Sequence, residues 1–142
     1  MDSRETIYNT LFALVQTSAS FVTASRRLRH WSELDPAEQP AVFQVQRGEE
    51  IMQQKGLPPK QKLAAQLYVY SYLDDANTSP STLLNPLIDS IMALFTPDTT
   101  TGFFTMGLDS VSHAWVEGNI ETDEGLFGAQ AWAIIPISIL AT

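Results

Sequence analysis

Lys62-Leu63-Ala64-Ala65-Gln66-Leu67-Tyr68-Val69-Tyr70-Ser71-Tyr72-Leu73 is the stretch that decides the fold. Leu67, Val69, Ser71 and Leu73 alternate with Tyr68, Tyr70 and Tyr72, and a period of two is the signature of a strand. The three tyrosines share one face and could form an aromatic platform. The expected arrangement is that they pack on a helix with their hydroxyls at the rim. Asp74 to Ser81 reads as a turn. Thr82 to Phe95 then places Leu84, Leu87, Ile88, Ile91, Met92 and Phe95 on the apolar side of a helix. Pro86 either stands at the first helical position behind an Asn85 cap or kinks a helix that began near Pro80.

Upstream, Asp2 to Gln16 predicts an amphipathic helix, with Asp2 and Glu5 at capping-box spacing. Its buried stripe is Ile7, Leu11, Leu14 and Val15, widened by Tyr8 and Phe12, and Ser18-Ala19-Ser20 ends it. Phe21 to Trp31 reads as an edge strand, because interleaved arginines suit a wet or interfacial face. Asp35-Pro36 and Gln39-Pro40 mark a loop. Ala41 to Gln46 predicts a strand, with Val42, Gln44 and Gln46 on one face and Ala41, Phe43 and Val45 on the other. Arg47 to Lys60 is polar, carries Gly48, Gly56, Pro58 and Pro59, and is expected to include a long hairpin loop.

Downstream, Phe103 to Met106 reads as a short strand. Val111 to Ile120 reads as a longer one, with Val111, His113, Trp115 and Glu117 facing away from Ser112, Ala114, Val116 and Gly118. Glu121 to Gly125 reads as an acidic turn. Phe127 to Leu140 reads as a long apolar strand in which Pro136 implies an edge or a bulge. The expected architecture is a single α+β domain over 1–142, an antiparallel-rich sheet with two helices packed on it.

Of the 142 residues, 44% are hydrophobic and 17% charged, which is ordinary globular composition. The absence of cysteine removes disulfides, thiolate metal sites and cysteine nucleophiles together. The longest apolar run, 129–140, is interrupted by Gln130, Pro136 and Ser138 and falls short of the roughly 20 residues of a membrane span. The start, Met1-Asp2-Ser3-Arg4-Glu5, lacks the features of a signal peptide, so a soluble protein with no membrane association is expected.

Charge divides the chain. All eight Lys and Arg lie between Arg4 and Lys62, among seven acids. From Leu63 onward there is no Lys or Arg, and nine acids bring the net charge to −8. Such asymmetry bears on partners more than on fold. It describes either a solvated acidic face or a basic patch that meets an acidic patch on the next copy, head to tail.

The acids Glu117, Glu121, Asp123 and Glu124 could bind Mg²⁺ or Ca²⁺, but their spacing matches no EF-hand loop and no phosphate-binding glycine loop accompanies them. A solvated or intersubunit patch fits them better. The histidines are His30 and His113, with no metal-ligand pairing and no Gly-x-Ser-x-Gly elbow. His113 beside Trp115 reads as a packed or interface histidine. Arg26, Arg27 and Arg29 with Trp31 could contact nucleic acid, but an acidic domain is the opposite of a normal nucleic-acid binder. Bidentate pairing with carboxylates across a subunit interface explains them better. No catalytic constellation rises above background, so no enzyme, metal or cofactor is expected.

Several stretches together resemble one family. They are Arg26-Arg27-Leu28-Arg29-His30-Trp31 with Pro36-Ala37-Glu38-Gln39-Pro40, Leu67-Tyr68-Val69-Tyr70, and Leu84-Asn85-Pro86-Leu87-Ile88-Asp89. Downstream come Val111-Ser112-His113-Ala114-Trp115-Val116-Glu117-Gly118, then Glu121-Thr122-Asp123-Glu124-Gly125 and Ile134-Ile135-Pro136-Ile137. The combination is similar to small tail proteins of long-tailed bacteriophages, in the role of the lambda-type tail terminator. The resemblance implies a protomer made in the host bacterial cytoplasm that assembles as a homohexameric ring in the virion. Such a ring caps the head-proximal end of the tail tube, stops polymerisation and docks to the head connector. Its partners are then itself, the tail tube protein and the head–tail connector protein, while genomic DNA passes through the lumen without specific binding. A head–tail connector or a tube-like subunit is the alternative within this class, and a small metal-dependent enzyme using the acidic cluster is the alternative outside it. The physical reading adds a candidate interface, Arg26, Arg27 and Arg29 facing Glu117, Glu121, Asp123 and Glu124 of a neighbour.

Overall fold

The computed structural model describes residues 2–142, the Phe127 side chain excepted. Helix α1 spans Arg4–Thr17. Its N-cap is Ser3, whose Oγ accepts from the Thr6 amide at 3.1 Å, one position later than the expected Asp2 cap. Ile7, Tyr8, Leu11 and Val15 are its buried stripe, and Leu14 and Phe12 are half-buried. Helix α2 spans Ser81–Leu94 with Pro86 inside it, so the helix begins at Pro80 and not behind an Asn85 cap. Leu84 and Ile91 are its buried anchors, while Met92 lies exposed.

Six strands form one sheet: β1 Thr23–Ser25, β2 Ala41–Met52, β3 Lys60–Tyr72, β4 Val111–Val116, β5 Glu121–Phe127 and β6 Gln130–Ala141. Their order is β1-β2-β3-β6-β4, with β5 also on β6, and all pairings are antiparallel except β1 with β2. Leu63, Leu67 and Val69 of β3 and Ile135, Ile137 and Ile139 of β6 project toward both helices and form the main core. Burying such side chains is worth about 1.5–3 kcal/mol each.

Several expectations are corrected. The strand expected over Phe21–Trp31 shrinks to β1, and the three arginines lie beyond it in irregular chain that ends in a 3₁₀ turn at Trp31–Glu33. Arg47–Lys60 does include a hairpin loop, at 53–59, but the loop is shorter than the polar stretch, because β2 reaches Met52 and β3 starts at Lys60. No strand forms at Phe103–Met106. Glu121–Gly125 is not a turn but part of β5, which uses the free edge of β6. The tyrosines of β3 face away from the helices, because the opposite set, Leu67 and Val69, meets them. On β4 a register shift between Val111 and His113 inserts one residue. Val111 and Ala114 are therefore both buried on the helix side, which breaks the simple alternation.

Pro136 sits within β6, where one neighbour changes from β5, which ends its pairing at Ile134, to β4, which begins at Ile137. The Pro136 carbonyl accepts from the Glu117 amide on that side. In a strand a residue's N–H and C=O point to the same edge, so the missing donor falls in the gap between the two strands. That gap meets the positional rule for proline in a sheet.

Candidate functional site

The sheet face opposite the helices is covered over only part of its area, by the chain from Arg29 to Gln39. Leu34, Ala41, Phe43 and Tyr70 form a second, smaller core there, against which Trp31, Tyr68 and Trp132 pack. The cover is pinned at two points. The Tyr70 hydroxyl donates to the Arg29 carbonyl at 2.7 Å. The buried amides of Gln39 and Gln130 donate to each other, each at 2.9 Å, and Gln130 Nε2 also lies within reach of the Ser71 and Ala131 carbonyls. Burial pushes the Tyr70 phenol up to about 12, with Tyr68 and Glu33 adding to the rise. Beside this cover lies an open groove of about 460 Å³ lined by His30, Trp31, Tyr68, Tyr70, Trp132 and Ile134.

The rest of the face is charged and aromatic. His113 stacks on Trp115 with centroids 5.1 Å apart, and its Nδ1 accepts the Phe104 amide at 3.0 Å, which places the proton of a neutral ring on Nε2. Lys62 Nζ lies 2.8 Å from Glu117 Oε2, and 5.7 Å from the centre of the Trp115 ring. The Ser138 hydroxyl also donates to Glu117, at 2.7 Å. Lys62 first and then Ser138 hold the Glu117 carboxyl below its ordinary range.

The interface candidates are divided by this geometry. Arg26 pairs with Glu5 of the same chain and also reaches Asn9 and Gln46, at 2.8 and 3.2 Å. Arg29 binds Glu38 at 3.1 Å and the Glu33 carbonyl at 3.1 Å. The Asp35 amide first and then Arg29 hold Glu38 below the usual carboxylate range. Arg27 is exposed, and among the described residues its side chain forms no salt bridge. On the acidic side, Glu124 Oε2 accepts from the Ser81 amide at the start of α2, at 2.6 Å, where a helix N-terminus favours negative charge. Glu121 and Asp123 stand opposite Ile134 and Trp132, on the groove's face of the sheet. The four acids thus split between two faces, and among the described residues no three His, Asp or Glu side chains gather as a metal cage. His30 Nδ1 caps its own 3₁₀ turn through Ser32, and among the described residues no carboxylate orients the ring as a triad would require.

The groove went unseen in the sequence because its walls come from three distant segments. Trp31 and Tyr68 stand out in their stretches of sequence, whereas Trp132 is hidden in an apolar run. No helix among the described residues is long and apolar enough to cross a membrane.

No protein-family model matches the chain, and no curated protein matches it. Among solved structures, a chain from the virion of a native gene transfer agent particle aligns over 95% of this chain and 90% of its own length, at 7% identity and a TM-score of 0.47.

Proposed function

We propose that this protein is a structural virion component of a long-tailed phage. It forms a ring that caps the tail tube, ends its polymerisation and presents the docking surface for the head connector, with DNA passing through the lumen. The family-like combination of motifs set out above leads to this reading, and one structural observation carries it. A sheet buried by helices on one side leaves part of its other side to half-buried side chains, the aromatic His113, Trp115 and Trp132 and the aliphatic Ile134 among them. Aromatic residues at the centre of a patch with polar groups at its rim are the anatomy of an interface. A ring closes by heterologous contacts, so each copy needs two unlike patches. The cations confined to residues 1–62 and the cation-free acidic stretch that follows supply them.

Within the proposed interface the arginines have unequal roles. Arg26 and Arg29 shape their own protomer through Glu5 and Glu38, and Arg27, exposed and outside those pairs, is the one of the three that reaches a carboxylate of the neighbour. An acidic lumen would repel phosphate and let the duplex slide.

The test is to add the protein to polymerising tail tube subunits and image the products. Tubes that stop growing and end in a ring support the reading. Tubes that elongate unchanged count against it. Arg27→Glu is expected to weaken ring assembly at physiological salt, and intact assembly would remove Arg27 from the interface.

A further inference from the structure

The hairpin joining β2 to β3 carries apolar side chains into solvent, as Leu126 of β5 also does. Ile51 is 52% exposed and Leu57 56%. From Gln46 to Lys60 every residue of the hairpin is exposed, and its pairing runs past the end of β6, which reaches only Gln61 of β3. Lys55 and Lys60 flank the tip, and among the described residues neither forms a salt bridge. At the other end of β3 lies the aromatic groove, bordered by Glu121 and Asp123 on β5 and by Glu33, and none of these three forms a salt bridge among the described residues. Lys60 and Tyr70 are separated by ten residues of strand, roughly 33 Å at the rise of an extended chain. The tip therefore cannot fold back into its own groove.

We infer that the groove receives the hairpin tip of a second copy, with Leu57 seated among Trp31, Tyr68, Trp132 and Ile134 and with Lys55 and Lys60 against Glu121 and Asp123. The match is apolar to apolar and cation to carboxylate, and the two halves sit on opposite ends of the protomer, as a head-to-tail contact demands. This contact rests on the ring assembly proposed above and specifies which surfaces build it.

A chain without cysteine suits a trapping experiment. Leu57→Cys and Ile134→Cys proteins are mixed and oxidised mildly, beside a control in which Leu57→Cys is mixed with Leu83→Cys, an exposed position on α2. Docking raises the local thiol concentration, so the Leu57–Ile134 heterodisulfide is expected to form about tenfold faster than the control or more. Equal rates overturn the contact. Imaging of the wild-type protein separates the two claims. Closed rings together with equal rates leave the ring standing and remove this contact. Preferential trapping with open strings in place of rings keeps the contact and removes ring closure. Circular dichroism of each variant confirms that exchange at the exposed Leu57 and half-buried Ile134 leaves the protomer folded.

Discussion

At the scale of single residues, stability on the groove side rests on polar groups that satisfy one another. Gln39 and Gln130 form a reciprocal buried amide pair. Gln130→Leu leaves the Gln39 amide and the Ser71 carbonyl without that donor, and a loss of about 2–3 kcal/mol is expected in urea unfolding. Replacing both glutamines by leucine should cost less than the sum of the single changes, because the unpaired group disappears with its partner. Ser71 is the reverse case: its Oγ is buried with no partner among the described atoms. Ser71→Ala is expected to be neutral or stabilising by up to about 1 kcal/mol. Tyr70 links the cover to pH. Its folded value is raised to about 12 from 10.0, so its contribution is full below 10 and is lost as pH rises through 12, on the order of 2 kcal/mol in all. Unfolding measured between those limits should show this slope, and Tyr70→Phe should flatten it. For Glu117 the sign is opposite. Its lowered value means that its contribution is present above the ordinary carboxylate range and fades as pH falls through the folded value, a dependence that Glu117→Gln should remove.

At the scale of elements, what the sequence revealed and what it hid have physical causes. The division of β2 and β3 into two faces was legible from the alternation, whereas which face of β3 meets the helices was not, because both faces carry large apolar or aromatic side chains. Val42 joins the main core and Phe43 the smaller one, as the period of two requires. Both helices were legible from their apolar stripes. The outer half of the β2–β3 hairpin was not, because a strand exposed on both faces has no apolar period to read. The register shift between Gln46 and Glu49, with Gly48 at φ +102°, further breaks the pattern there. Gly48→Ala places a β-carbon in a backbone conformation that favours glycine, and a loss of about 1 kcal/mol is expected in thermal or urea unfolding. The acids of β5 concealed a strand for a related reason: its place is set by β6, not by its own propensity. Of the candidate interface, the sequence pointed to the arginines and the acids as two sets. The division of labour was not, since which arginine is taken up by Glu5 or Glu38 depends on contacts across the fold.

At the scale of the whole molecule, two asymmetries coincide. One is of charge, with every lysine and arginine at or before Lys62. The other is of layers, with helices on one side of the sheet and an aromatic, charged surface on the other. Both suit a protomer whose unlike surfaces meet head to tail, and contacts between exposed charges weaken as salt rises. The most direct measurement is the mass of the purified protein by light scattering across concentration and salt, with electron microscopy of any large species. The account predicts closed rings with a central hole, about six times the 15.7 kDa protomer, giving way to monomer at high salt. A protein that stays monomeric at every concentration and salt, alone and with tail tube subunits present, would contradict it.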